Sequence, residues 1–137
     1  MALTHLLDTS VLTRLREPTV RKAIEPRVRL GQLARAGISD LEIGFSARNA
    51  AEWDRLADAI EAFAPVETTA EHVRRAKQVQ RLLASKHQRG RKLPDLLVAA
   101  AAEVGGLTVL HYDNDFDLIA AATGQSCEWV VPAGSVD

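Results

Sequence analysis

A single cysteine, Cys127, in 137 residues excludes an internal disulfide, and no cysteine or histidine spacing matches a structural zinc site. The longest uninterrupted apolar run, Leu96 to Ala102, is seven residues, against about 20 for a membrane-spanning helix. The first residues have no basic stretch followed by an apolar one, so no secretory leader is expected. Aromatic side chains number six (three Phe, two Trp, one Tyr), too few for a base-stacking platform of the kind general single-strand binders use. The four histidines, His5, His72, His87 and His111, are scattered, whereas a histidine acid–base pair needs two that converge. With 47% apolar and 26% charged residues, the chain reads as one globular cytoplasmic domain spanning residues 1–137, with no membrane attachment.

A net charge of −1 conceals a segregation of sign. From His72 to Leu93 there are eight cations (Arg74, Arg75, Lys77, Arg81, Lys86, Arg89, Arg91 and Lys92) and no acid, and a second basic stretch runs from Arg14 to Arg35. Thirteen of the 17 cations are arginine, the side chain whose fork matches phosphate in two parallel hydrogen bonds. A solvated helix face is the ordinary use of such a run; here the asymmetry favours an anionic partner.

Short apolar runs alternate with helical periodicity along the chain. Strands are predicted at Leu3–Leu7, Ala36–Ile38, Val66–Thr68 (an edge strand), Leu107–His111 and Cys127–Val131. A short helix leads from Ser10 toward Glu17, and Pro18 and Pro26 break up the next helical stretch, which ends near Leu30 to Leu33. Ser39 opens a helix through about Arg48, and from Ala51 the spacing of Trp53, Leu56, Ile60 and Phe63 describes an amphipathic helix stopped by Pro65. Thr68 and Glu71 have capping-box spacing at the start of a long helix that Gly90 ends. Asp95–Val104 is a strongly apolar helix closed by Gly105-Gly106, and a last helix covers Asn114–Thr123. Strands separated by helices imply an α/β fold with a mostly parallel sheet covered on both faces.

The carboxylates follow the strands. Asp8 comes directly after the first; Glu42 lies near the start of the helix after the second; Asp95 opens the apolar helix; Asp113, Asp115 and Asp117 follow the strand ending at His111. In an open α/β sheet these places share the crevice beyond the carboxyl ends of the strands. Each acid has a local use by itself: Ser39 to Glu42 is a capping-box spacing, Asp95 suits a helix N-terminus, and Asp8 and Asp113 suit turns. Together they repel, at roughly 4 kcal/mol for a pair about 4 Å apart at an effective dielectric of 20. A hard divalent cation with oxygen ligands offsets that repulsion.

The segments Leu7-Asp8-Thr9-Ser10-Val11-Leu12, Ser39-Asp40-Leu41-Glu42-Ile43, Pro94-Asp95-Leu96-Leu97-Val98-Ala99-Ala100-Ala101 and His111-Tyr112-Asp113-Asn114-Asp115-Phe116-Asp117-Leu118-Ile119-Ala120 resemble the four signatures of PIN-domain ribonucleases. The likeness is strongest to the VapC-type toxins of bacterial VapBC toxin–antitoxin pairs, and it runs in order along nearly the whole chain. The resemblance implies a three-layer sandwich, with a parallel sheet of four or five strands between helices. It further implies a metal-dependent endoribonuclease that hydrolyses phosphodiester bonds in a structured RNA such as transfer or ribosomal RNA. Its acids would be Asp8, Glu42, Asp95 and Asp113, with Asp115 as a fifth, holding Mg²⁺ or Mn²⁺. One ion would sit on Asp8 and Asp95 and a second near Glu42, Asp113 and Asp115, while Thr9 or Ser10 supplies the hydroxyl that orients the carboxylates. Asp117 falls outside this set and reads as a helix-start acid, and His111 as a strand-end residue.

The implied partners are a cognate VapB-type antitoxin, a second copy of the chain in a homodimer, and a toxin–antitoxin hetero-oligomer. The helix from Ala51 to Ala64 and the Arg14-to-Leu33 region are the expected groove walls for the antitoxin. A non-catalytic PIN relative that only binds RNA or a partner is the alternative, and loss of acids would mark it. First-strand requirements exclude two other α/β readings: a dehalogenase-type phosphatase needs Asp-x-Asp there, and a receiver domain needs paired acids.

RNA is expected to contact Arg74, Lys77 and Arg81, which share one helical stripe, and Lys86, Arg89, Arg91 and Lys92, which lead into Pro94-Asp95. Replacing Arg89, Arg91 and Lys92 with Ala, in an Asp8→Asn background that prevents cleavage, should weaken RNA binding across sequences. It should flatten the dependence of log K on log salt by about 2 to 3 units, read from affinities at several salt concentrations. An unchanged slope would assign these charges to a solvated face.

Overall fold

Three consecutive residues of the first strand, His5, Leu6 and Leu7, are all buried. Side chains along a strand alternate in direction, so this pattern requires cover on both faces of the sheet. The computed structural model describes residues 2–88 and 92–137 and provides that cover. Its strands are β1 (His5–Leu7), β2 (Leu33–Ala36), β3 (Ala64–Val66), β4 (Thr108–His111) and β5 (Cys127–Trp129). Every pairing is parallel, in the order β3-β2-β1-β4-β5. The helices are α1 (Thr9–Leu12), α2 (Pro18–Arg29), α3 (Gly37–Phe45), α4 (Ala50–Ala59), α5 (Ala70–Ser85), α6 (Leu93–Val104) and α7 (Asp115–Thr123). Among the described residues no helix is long and apolar enough to cross a membrane.

Neighbouring strand residues divide the interior into two cores. Leu6, Ala34 and Val109 join Val79 and Leu83 of α5, the inner face of α6, and Phe116 and Ile119 of α7. Leu7, Leu33 and Leu110 join Val11 and Leu12 of α1, Val20 and Ile24 of α2, Ile43, Ile60 and Phe63. Helix α6 is buried almost all round, from Val98 through Ala102, as expected of a helix packed both on the sheet and against α5. Its alanines are small enough for that close approach.

Several elements differ from the expectation. The second strand is Leu33–Ala36 instead of Ala36–Ile38 because Gly31, at φ 64°, turns the chain out of α2 two residues before the strand. Helix α3 therefore begins at Gly37, and Ser39 is fully buried inside it instead of capping it. Pro18 takes the first turn of α2, while Pro26 lies within that helix near its end. A proline there forfeits one backbone hydrogen bond without ending the helix. The cap of α5 is Thr69, whose hydroxyl accepts from the His72 N–H while His72 Nδ1 accepts from the Thr69 N–H; Thr68 and Glu71 do not form the box. The expected stop at Gly90 lies outside the described residues. Helix α4 stops at Ala59 and not at Pro65, so of the expected stripe Ile60 and Phe63 are buried in the turn that follows it, while Trp53 is half exposed and lies across Gly44, where a Cβ would collide with the indole nitrogen.

Arg35 of β2 is buried to 9% exposure, a position an unpaired cation avoids. It pairs with Asp40 at 2.9 Å and donates to the carbonyls of Ile60 (3.1 Å) and Phe63, tying β2 to the turn between α4 and β3. Arg35→Met keeps the aliphatic stem but leaves those acceptors without their donor. It should lower unfolding free energy by about 3 kcal/mol in urea melts.

Candidate active site

Parallel β1 and β4 end side by side, so the residues that follow them meet. Asp8 caps α1: its Oδ2 accepts from the Ser10 N–H (3.0 Å) and hydroxyl (2.6 Å). The Ser10 hydroxyl in turn accepts from the Tyr112 N–H at 2.8 Å, which links the ends of the two strands through one side chain. Thr9 Oγ1 lies 2.6 Å from Glu42 Oε1 and 2.8 Å from Ser39 Oγ. A carboxylate only accepts, so the single threonine proton goes to Glu42 and the Ser39 hydroxyl donates to Thr9. Thr9 or Ser10 is expected to hold the carboxylates; in the structure the Ser10 hydroxyl bonds Asp8 and the Thr9 hydroxyl bonds Glu42.

Asp113 follows β4 by two residues. Its Oδ1 accepts from the Asp115 N–H at 2.9 Å, and its Oδ2 from the Lys92 ammonium at 3.1 Å. Lys92 precedes α6 and Asp95 lies in that helix's first turn. Asp95 is buried to 4% exposure, and its Oδ2 has no hydrogen-bond partner among the described residues. Oxygen atoms of Asp95, Asp113 and Asp115 lie within 4.8 Å of one another.

The electrostatics follow from burial and mutual repulsion. Burial, reinforced by the charges of Asp8 and Asp113, pushes the Asp95 carboxyl up to about 8. Asp8 is also raised, chiefly by burial, although the Ser10 hydrogen bonds oppose the shift. Burial works against ionising Asp113 too, but the Asp115 N–H and the Lys92 ammonium outweigh it and hold that carboxyl below its ordinary value. Lys92 is raised in turn by its bond to Asp113. The cluster thus has one carboxyl kept neutral, one kept ionised and a single lysine among them, an arrangement that a divalent cation with oxygen ligands fits. The three gathered oxygens cross the expected division into an Asp8–Asp95 ion and a Glu42–Asp113–Asp115 ion, because α6 brings Asp95 against the β4–α7 turn.

These groups open on a cleft of about 650 Å³, which Asp8, Glu42, Asp95, Asp113, Asp117 and Lys92 line in part. Lys92, grouped above with the RNA-contacting cations, therefore belongs to the acidic cluster. Arg74, Lys77 and Arg81 are exposed on α5, and Lys86 is exposed just beyond it. None of these four lines the cleft. Arg89 and Arg91 lie outside the described residues. His111 is fully buried between the rings of Phe116 and Trp129. Sequence reasoning missed Arg14, Tyr112 and Trp129 as lining residues; Tyr112 could have been suspected from its place between the His111 strand end and Asp113.

A family model described as the PIN domain matches residues 5–122. The chain belongs to the PIN-domain family. Among relatives, it is 62% identical to ribonuclease VapC51 of Mycobacterium tuberculosis over the whole of both chains. The PIN fold is shared with the crystal structure of DNA-bound VapBC from Salmonella typhimurium (TM-score 0.76, 17% identity, 94% of this chain and 99% of that one). It is shared also with VapBC-5 of Mycobacterium tuberculosis, a member of the VapBC family of toxin–antitoxin systems (TM-score 0.64, 22% identity, 93% and 96%).

Without metal, this PIN domain should be less stable in mild alkali than in mild acid. A carboxyl raised from 3.8 to about 8 on folding holds a proton in the folded state that the unfolded state has lost. Stability therefore falls as pH rises through that window, and the shift of Asp8 acts in the same direction. Thermal melts in EDTA should show Tm declining from pH 5.5 to 8.5. Asp95→Asn should flatten the decline and raise Tm at pH 8 by about 3 °C or more, corresponding to roughly 1 kcal/mol of relieved repulsion. Mn²⁺ added at pH 8 should raise the Tm of the unsubstituted protein and not that of the variant.

Proposed function

We propose that this PIN domain is a metal-dependent endoribonuclease, the toxin of a VapBC-type pair acting in the cytoplasm. The observation that carries the reading is the buried Asp95 carboxyl, one oxygen of which has no hydrogen-bond partner among the described residues, set among Asp8, Asp113 and Asp115. A structural cluster would have satisfied that oxygen. The 62% identity to a ribonuclease over the full length supports the same reaction here, on a structured RNA such as transfer or ribosomal RNA.

Asp8, Asp95, Asp113 and Asp115, with Glu42 on the adjoining wall, would hold Mg²⁺ or Mn²⁺. The chemistry such an ion supplies is a lowered pKa for the attacking water and charge neutralisation at the phosphate. The residues of this chain do the positioning. Ser10 fixes Asp8 through its Oδ2. Thr9 fixes Glu42, and Lys92 balances Asp113 in a cluster otherwise composed of acids. Against the non-catalytic alternative, all five acids are present, and Asp8, Glu42 and Asp113 are held by hydrogen bonds.

The antitoxin is assigned to a second groove of about 680 Å³ between α4 and the α1–α2 turn. Leu12, Leu15, Ile43 and Leu56 give it an apolar floor, and Arg16 and Arg55 stand on its rim. That combination fits a segment carrying apolar and acidic side chains. Of the expected Arg14-to-Leu33 wall only the first residues take part, because α2 turns away to cover the sheet. The homodimer is assigned to α3, where Leu41 and Phe45, one turn apart, are 71% and 92% exposed.

The test is sequencing of RNA ends after induced expression, with Asp8→Asn as control, which reads activity and substrate together. New 5′ ends should appear with the unsubstituted protein and fall by at least about a hundredfold in the variant. Purified protein should cleave the same RNA with Mg²⁺ or Mn²⁺ and stop on adding EDTA, and co-expression of the neighbouring upstream reading frame should restore growth. Cleavage that survives chelation would overturn the mechanism.

A further inference from the structure

Two aromatic side chains are among the residues that line the cleft. Trp129, the last residue of β5, and Tyr112 line it together with Arg14. Trp129 is at the sheet edge and only partly buried, yet its ring is fixed in direction. Its indole N–H donates to the Asp117 carboxylate at 3.0 and 3.3 Å. Its ring packs on His111 with centroids 5.0 Å apart and meets Tyr112 edge-on at 5.5 Å and 87°.

Tyr112 is held as firmly. Its hydroxyl donates to the Val136 carbonyl at 2.7 Å and accepts from the Val136 N–H at 3.1 Å. The Arg14 guanidinium lies 4.8 Å over the Tyr112 ring and donates through Nε to the Asp137 carbonyl at 2.8 Å. The C-terminal segment thus braces the wall from behind. Burying a tryptophan would need none of this in an open polar cleft; a flat partner with a π face would use all of it.

We propose that Trp129 is a nucleobase-stacking residue for a nucleotide flanking the scissile phosphate, with Asp117 locking the indole and Tyr112 and Arg14 backing it. A base seated on Trp129 decides which phosphate lies over Asp8, Asp95 and Asp113, so the residue sets the cleavage register. The inference deepens the ribonuclease reading and rests on it.

The chain has two tryptophans, so Trp53→Phe leaves Trp129 as the only indole emitter. In a Trp53→Phe/Asp8→Asn protein with Mg²⁺, a ten-residue oligoadenylate should quench that emission. A ten-residue abasic ribose-phosphate chain, with the same phosphates and no bases, should not. In the active protein, Trp129→Leu should raise KM about tenfold, change kcat far less and spread cleavage over neighbouring positions. Trp129→Phe should restore both KM and position. Equal quenching by both chains, or RNA binding seen by anisotropy with no quenching, would overturn the proposal, as would Trp129→Leu cleaving at the same positions with the same KM. Absence of both RNA binding and cleavage in the unsubstituted protein would instead overturn the ribonuclease reading, and this inference with it.

Discussion

Burying Asp95 among other acids is the constraint around which the rest of the site is built. Its carboxyl opens a helix whose remainder is almost wholly apolar, so it cannot move to water without withdrawing α6 from the core. The surrounding groups each reduce the resulting strain by a different means. Ser10 spreads charge from Asp8 into two hydrogen bonds, Thr9 gives one to Glu42, and Lys92 pairs with Asp113. None of them neutralises Asp95, whose proton is the fold's own answer in the absence of a cation.

That arrangement depends on stiffness behind it. Leu6 and Leu7 anchor β1 in opposite cores, and Val109 and Leu110 do so for β4. The two strand ends that carry Asp8 and Asp113 are therefore held from both faces of the sheet. The Ser10–Tyr112 bond joins them at the surface. Electrostatic stress of this kind can be stored only where the backbone cannot relax it, which is why the acids follow the central strands and not the edge strand β3.

The cleft and the exposed cations of α5 are separate surfaces. Acids, two aromatic residues and Arg14 line the cleft together, while Arg74, Lys77 and Arg81 stand on α5 outside it. Phosphate contacts at such a distance raise affinity without selecting a sequence. In the proposed reading, selection falls to Trp129 and Tyr112, which line the cleft with the acids.

Much of this was legible along the chain. Strand–helix alternation implied a covered parallel sheet, and the positions of Asp8, Glu42, Asp95 and Asp113 after strands or at helix starts placed them at one sheet edge, because parallel strands must all end on the same side. Local signals were weaker guides to boundaries: Ala36 to Ile38 and Leu33 to Ala36 are both apolar enough for a strand, and only pairing with β1 and β3 chose between them. The partner of each hydroxyl, the grouping of Asp95 with Asp113 and Asp115, the place of Lys92 among the acids and the aromatic wall braced by Val136 and Asp137 could not be read in advance. Apart from the local Ser10–Asp8 bond, these features bring together residues from segments far apart in sequence, and which side chains meet across such separations is decided by how helices pack on the sheet, a property of the folded whole and not of any segment.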